Sequence, residues 1–366
     1  MARKRSSLLV PLVSILLGFG LGALVLAATG RNPVSMFLAL LQGLSGFNAK
    51  ASTFNPRYIG EFVIQSMPII LTGLSVGFAF RVGLFNIGAE GQVIAGSIAA
   101  AAVGLWVKAP APFHVILVLV AAMAAGALWG AIPGWLKARF NVHEVVMTIM
   151  MNYVALNLNN LMIVNVFGSA DRVKTGFFPP SALLKDEALS ALTNGSRLNW
   201  GFVPVIIAAF VSWFVIERTT FGFGLRAVGF NKDAARYAGM KVERNVVMSM
   251  VIAGAFAGLA GAIITVGTFN YGRALSTMEG YGMDGIAVAL VGGNAALGIF
   301  LSGLLFGALK AAQPLMQSQG IPKDIASIIQ AAIVLFVAMK YGIDYLVKKV
   351  APRRRAAAEA EAGGGV

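Results

Sequence analysis

Ten apolar runs, most of them long enough to cross a bilayer, leave this chain few structural choices. They occupy residues 8–28, 60–80, 91–107, 113–136, 145–167, 201–216, 245–268, 281–291, 297–315 and 326–346. A helix needs about 17–25 mostly apolar residues to cross the hydrocarbon core. Inside that core every backbone N–H and C=O must be satisfied within the protein, which helices and closed barrels alone achieve. Runs of this length read as helices, so the chain is expected to be an all-α polytopic membrane protein with about ten transmembrane helices. The run 281–291 is short and is either extended at one end or broken by Gly292 and Gly293; the start of 91–107 is also open.

Composition agrees with that reading. Hydrophobic residues make up 58% of the chain and charged ones 12%, against about 25% charged in a soluble domain. Cysteine is absent, which excludes disulfides, Cys-based zinc sites and thiolate catalysis. The net charge of +14 collects in loops and at the ends, with Arg3, Lys4 and Arg5 before the first span and Lys348, Lys349 and Arg353 after the last. No basic stripe is interleaved with exposed aromatics, so nucleic acid is not an expected partner. The positive-inside rule puts both ends in the cytoplasm, which an even number of spans satisfies. Residues 8–28 are longer than a signal-peptide core and read as an uncleaved first span.

Spans two to five start outside and spans seven to ten start inside, the arrangement of an inverted repeat. Residues 1–352 are expected to form one transmembrane domain, followed by a tail, 353–366, that begins basic and becomes disordered Ala/Glu/Gly sequence. Asn32 and Pro33, with the run behind them, begin either a short interfacial helix or an ordered loop. Spaced small residues, such as Gly254 with Gly258 and Ala257 with Gly261, predict close helix packing.

One polar segment interrupts the second half. Residues 217–244 hold six Lys/Arg and three Asp/Glu between flanks without any charge. Asn231 suits an N-cap, Asp233 puts negative charge in the first turn, and Gly239 suits the left-handed C-terminal stop. A short capped helix at the cytoplasmic surface offers another protein something to hold.

Most catalytic motifs fail. His143 and Glu144 are not followed by a second His one turn on, and two Gly-rich fingerprints, at Gly18 and Gly222, follow no strand. Gly224 and Gly229 lack the Lys-Ser/Thr ending of a phosphate loop, so the chain carries no ATP site of that kind. No metal or cofactor is expected. Residues 82–94, VGLFNIGAEGQVI, are more informative. Glu90, between Gly88 and Gly91 and accompanied by Asn86 and Gln92, lies at the membrane boundary. There it is either a solvated turn or, favoured by the cost of polar groups in a membrane, part of a pathway or a backbone break. Span five carries Asn152, Asn157, Asn159, Asn160 and Asn165, which read equally as interhelical glue or as a hydrated face. Asp284 and Asn294 again set polar groups beside glycine, and Lys310 falls within a span.

Four stretches in order, GLFNIGAEGQ (83–92), HEVVMTIMMNY (143–153), FGFGLRAVGFNKDAARYAGM (221–240) and GMDGIAVALVGGN (282–294), resemble permease subunits of bacterial ABC importers. The similarity is to the branched-chain amino-acid/ribose superfamily, nearest its nucleoside and simple-sugar permeases, and covers residues 58–345. It implies a type II importer-like helical fold with the pathway between two permease subunits, identical or paralogous. It also implies a cytoplasmic ATPase subunit, an extracytoplasmic binding protein and a place in the bacterial inner membrane, with nucleosides as cargo and ribose-like sugars as the alternative. Gly229, Asn231, Asp233, Ala234, Ala235 and Gly239 resemble the coupling motif that docks in the ATPase, Asp233 replacing the usual Glu. The expected pathway set is Asn86, Glu90, Gln92, Asn152, Asn157, Asp284 and Asn294. One departure is Ala295 and Ala296, where the family usually carries a more polar, Pro-containing pair. A stand-alone secondary transporter would want ion-coupling carboxylates within spans, for which Glu90 and Asp284 are the candidates, and a membrane enzyme would want a catalytic motif.

Overall fold

The computed structural model describes residues 2–168 and 171–339. Each expected span coincides with a helix as far as the described residues reach, and the helices fall into two compact units, residues 2–33 with 321–339 and residues 34–320.

In the first unit α1 (Ala2–Ala28) packs on α14 (Asp324–Ala338). A side chain at Gly18 would strike Ile333, and one at Gly22 would strike Ile329. The glycines at one-turn spacing therefore bring two helices together, as expected where hydrophobicity alone cannot hold helices in lipid.

The second unit begins with α2 (Pro33–Ser45), which resolves the open reading of that run as a helix, and a hairpin of β1 (Phe47–Asn48) and β2 (Thr53–Phe54). At its centre lies α3 (Arg57–Phe80), whose residues from Ser66 to Ala79 are all buried. Around α3 stand α4 (Ala89–Trp106), α8 (Phe202–Arg218), α11 (Val242–Ala262), α12 (Tyr281–Val291) and α13 (Ala296–Ser318), while α5 (Phe113–Phe140) packs along α11 and α4. The predicted close approach is real. Gly254 and Gly258 lie on the backbone of α5 at Gly126 and Ala122, and Gly261 lies on α4 at Val93 and Ser97. Two helices end in π turns, α6 (Glu144–Leu161) through Met162–Val166 and α11 through Ile263–Phe269. Three short helices complete the unit: α7 (Glu187–Leu192) in the long 168–200 loop, and α9 (Thr220–Phe230) and α10 (Lys232–Tyr237) in the polar segment.

The count of ten spans needs correction. Among the described residues, seven helices are long and apolar enough to cross a membrane, and the pair α8 and α9, bent by 73°, makes an eighth if taken as one span. The apolar helices α2, α12 and α14 are shorter. For α12 the cause is local: Gly293 and Asn294 take left-handed φ of 62° and 56°, and the Asn294 N–H returns to the Ala289 carbonyl at 2.9 Å, closing the helix after 11 residues. At 1.5 Å per residue that is about half of a ~30 Å core. The last expected span, 326–346, and the tail, 353–366, run into or lie outside the described residues.

Candidate functional site

The polar segment folds as its caps dictate. Asn231 Oδ1 accepts the N–H groups of Asp233 and Ala234, both at 3.0 Å, starting α10. Gly239, at φ 81°, ends it, with its N–H donating to Arg236 O and the Met240 N–H to Ala235 O. A salt bridge of 2.7 Å from Arg236 to Glu243 fixes α10 against the start of α11. Gly229 has no room for a side chain because the Arg81 carbonyl lies against it. Of the two small residues of the motif, Ala234 is exposed and Ala235 is not. Ala235 is buried within the chain, because it lies on the side of α10 turned to α9 and α11. What projects instead is aromatic: Phe230 is 91% exposed and Tyr237 97%.

Behind this helix sits an ionic node that the sequence reading missed. Glu217 accepts from Arg81 at 2.9 Å and from Arg226 at 2.8 Å, and Arg81 Nε donates to the Asn294 carbonyl at 2.9 Å. One carboxylate thus joins the ends of α3, α8 and α9 to the turn after α12. An acidic residue closing an uncharged run was the available signal. Asn294 belongs here, with its side-chain oxygen buried and unpartnered among the described residues.

Glu90 is no solvated turn. It stands in the first turn of α4, 4% exposed, and its carboxylate accepts the N–H of Gly280 at 2.9 Å and of Gly282 at 2.5 Å. Those are N-terminal amides of α12, so Glu90 caps a second helix from the first, where a helix dipole favours negative charge. Gly282 is required by the same contact, since a side chain there would meet the Glu90 backbone. Beside it Asn86 and Gln92 exchange amide hydrogen bonds of 3.0 and 3.2 Å next to Ser75. Asn152 spans the turn before α4, donating to Ile87 O at 3.0 Å and accepting from Gly91 N at 2.8 Å. Asn159 and Asn160 bind the backbone of Arg273 and Leu275. Asn152, Asn159 and Asn160 of span five therefore work as glue between segments. Asn157 departs from the expected set: it is exposed and donates to Tyr153 O in its own helix, so the structure does not bring it to the others.

Asp284 lies apart from the Glu90 network and receives Lys310 Nζ at 2.8 Å, the ammonium also resting 4.4 Å from the centre of the Tyr281 ring. Lys310 is thereby paired, as a cation within a span requires. In the loop bearing α7, hydrogen bonds from Trp200 and the Ala188 N–H hold the Asp186 carboxyl below the usual carboxylate range. Burial, with Arg197 nearby, lowers the Lys185 ammonium.

Residues 58–338 match the family described as branched-chain amino acid transport system / permease component. The guanosine ABC transporter permease protein NupP of Bacillus subtilis is 47% identical, over 96% of this chain and 98% of its own. The nucleoside ABC transporter permease protein NupB of Lactococcus lactis is 37% identical over 95% of each chain. The glucose ABC transporter permease protein TsgB13 of Haloferax volcanii is 32% identical over 97% of this chain and 93% of its own. No solved structure matches. With helices, capped loop and these relatives in agreement over nearly the whole length, the chain is a multi-pass membrane protein that belongs to the branched-chain amino acid transport system / permease component family.

Proposed function

We propose that this chain is the membrane-spanning subunit of an ATP-driven importer in a bacterial inner membrane, and that it carries nucleosides. The observation that carries this reading is the 47% identity to a guanosine permease along 96% of the chain, joined to a capped helix flanked by Phe230 and Tyr237, which no described residue covers. ATP is hydrolysed on a separate cytoplasmic subunit, which docks on α10 and the end of α9 through Phe230, Ala234 and Tyr237. Asn231, Asp233 and Gly239 hold the helix in shape, Gly229 seats it against Arg81, and Ala235 anchors it from within. A second permease subunit and an extracytoplasmic binding protein complete the machine. Sugar cargo is the second reading, favoured by the 32% identity to a glucose permease.

Co-purification of the ATPase tests the docking. Tyr237→Ala together with Phe230→Ala is expected to release most of the ATPase while leaving the permease in the membrane. Equal recovery with undiminished ATP-driven uptake would rule out docking at α10. Uptake of labelled guanosine and ribose into vesicles loaded with ATP, or energised by an ion gradient alone, separates both cargo readings from a secondary transporter.

A further inference from the structure

The membrane-spanning faces divide by polarity. The outer sides of α5 and α8 present apolar groups such as Phe113, Ile116 and Leu128, and Ile206, Ile207 and Phe210. The joint face of α3, α12 and α13 is different. There Gln65, Glu279, Tyr281, Lys310, Gln313 and Gln317 surround an open cavity of about 400 Å³, within the ~300–1,000 Å³ common for small-molecule sites.

Lys310, Gln313 and Gln317 fall at i, i+3 and i+7, on one face of α13, and Lys310 lies roughly 12 Å inside the end of that helix at 1.5 Å per residue. Polar groups at such depth are costly unless they are paired or line water. The charged ones are paired. Asp284 neutralises Lys310, and Arg273 grips Glu279 with two bonds of 2.9 and 2.8 Å. The three carboxamides are not, since none has a hydrogen-bond partner among the described residues. Pro314, in the same wall, also removes the N–H that would otherwise serve the Lys310 carbonyl one turn back. The cavity therefore offers amide donors and several acceptors while its charges are already balanced. Such a lining suits an uncharged solute rich in hydroxyl and amide-like groups, because each carboxamide both donates and accepts.

We propose that Gln65, Gln313 and Gln317 form a transit site for an uncharged nucleoside, binding its ribose hydroxyls and base edge, a site that rests on the nucleoside reading above for its cargo. It lies apart from the buried Asn86, Gln92 and Asn152 network.

The test uses the whole transporter in proteoliposomes, with guanosine and ribose as labelled probes. Gln313→Leu and Gln317→Leu are each expected to lower the initial rate of guanosine uptake tenfold or more, with ATPase recovery and melting temperature unchanged. Lys108→Gln, in an exposed loop, serves as the control. Because the chain has no cysteine, Gln313→Cys gives a single labelling position. A membrane-impermeant thiol reagent added on the side of the β1–β2 hairpin is expected to modify it and block uptake, and guanosine is expected to slow the modification. Wild-type uptake in both leucine variants, or an unreactive Gln313→Cys protein, would overturn the site. Wild-type protein that carries ribose but not guanosine would overturn the cargo alone, and the same variants then decide the site with ribose as the probe.

Discussion

At the scale of single residues, Glu90 is the side chain on which most depends. Replacing it with Ala removes the acceptor of the Gly280 and Gly282 N–H groups at the start of α12, and the buried Gly282 N–H alone costs about 1–3 kcal/mol when left without a partner. Glu90→Ala is therefore expected to lower the melting temperature in detergent as well as uptake, and Glu90→Gln, which keeps one acceptor oxygen, to lower both less. A melting curve equal to wild type would remove the capping role. Asp186 gives a pH-dependent counterpart outside the membrane. Its pKa is depressed in the folded chain by Trp200 and Ala188, so its contribution is present above the ordinary carboxylate pKa and fades as pH falls through the lowered one. Acidification through that window is expected to shift Trp200 fluorescence, and Asp186→Asn should abolish the shift. The sequence disclosed that Glu90 is costly at a membrane boundary. It could not disclose the partner, because the amides it binds lie 190 residues away and belong to the backbone, whose chemistry is the same everywhere.

Elements follow the same division. The caps of α10 were legible because a cap is a contact within three residues, and Asn231 and Gly239 take the conformations their chemistry prefers. Asn231→Ala is expected to cost about 1 kcal/mol of helix stability, which proteolysis of the 230–241 loop in the intact transporter would register as faster cleavage. Burial of Ala235 and exposure of Tyr237 were not legible, since α10 is too short for its pattern to tell which side meets α9. In the spans, small residues announced close packing without saying between which helices. Gly254→Val, which would push into the Gly126 carbonyl, is expected to destabilise the protein by about 1–3 kcal/mol or prevent its assembly. Gly20→Ala, with open space around it, should melt as wild type does.

For the whole molecule, the prediction concerns topology. A topology with both ends cytoplasmic predicts that a cysteine introduced at Asp186 reacts with an impermeant reagent outside intact cells, and that one at Lys232 does not. Equal reactivity of the two would defeat the arrangement. By itself the sequence determined that the chain is helical and membrane-embedded, because apolar length and the obligation to satisfy every backbone group in lipid leave no other choice. It also determined where helices begin and end wherever a cap or a left-handed residue acts locally. Tertiary structure alone decided which polar groups are spent inside the protein and which remain free. Asn86, Gln92 and Asn152 look like pathway residues in the sequence, yet they bond to one another or to nearby backbone. Gln65, Gln313 and Gln317 draw no notice there, yet they keep their hydrogen-bonding groups open to a cavity. An amide has one chemistry in every position, and whether it serves as glue or as a site depends on what the fold sets within 3 Å of it.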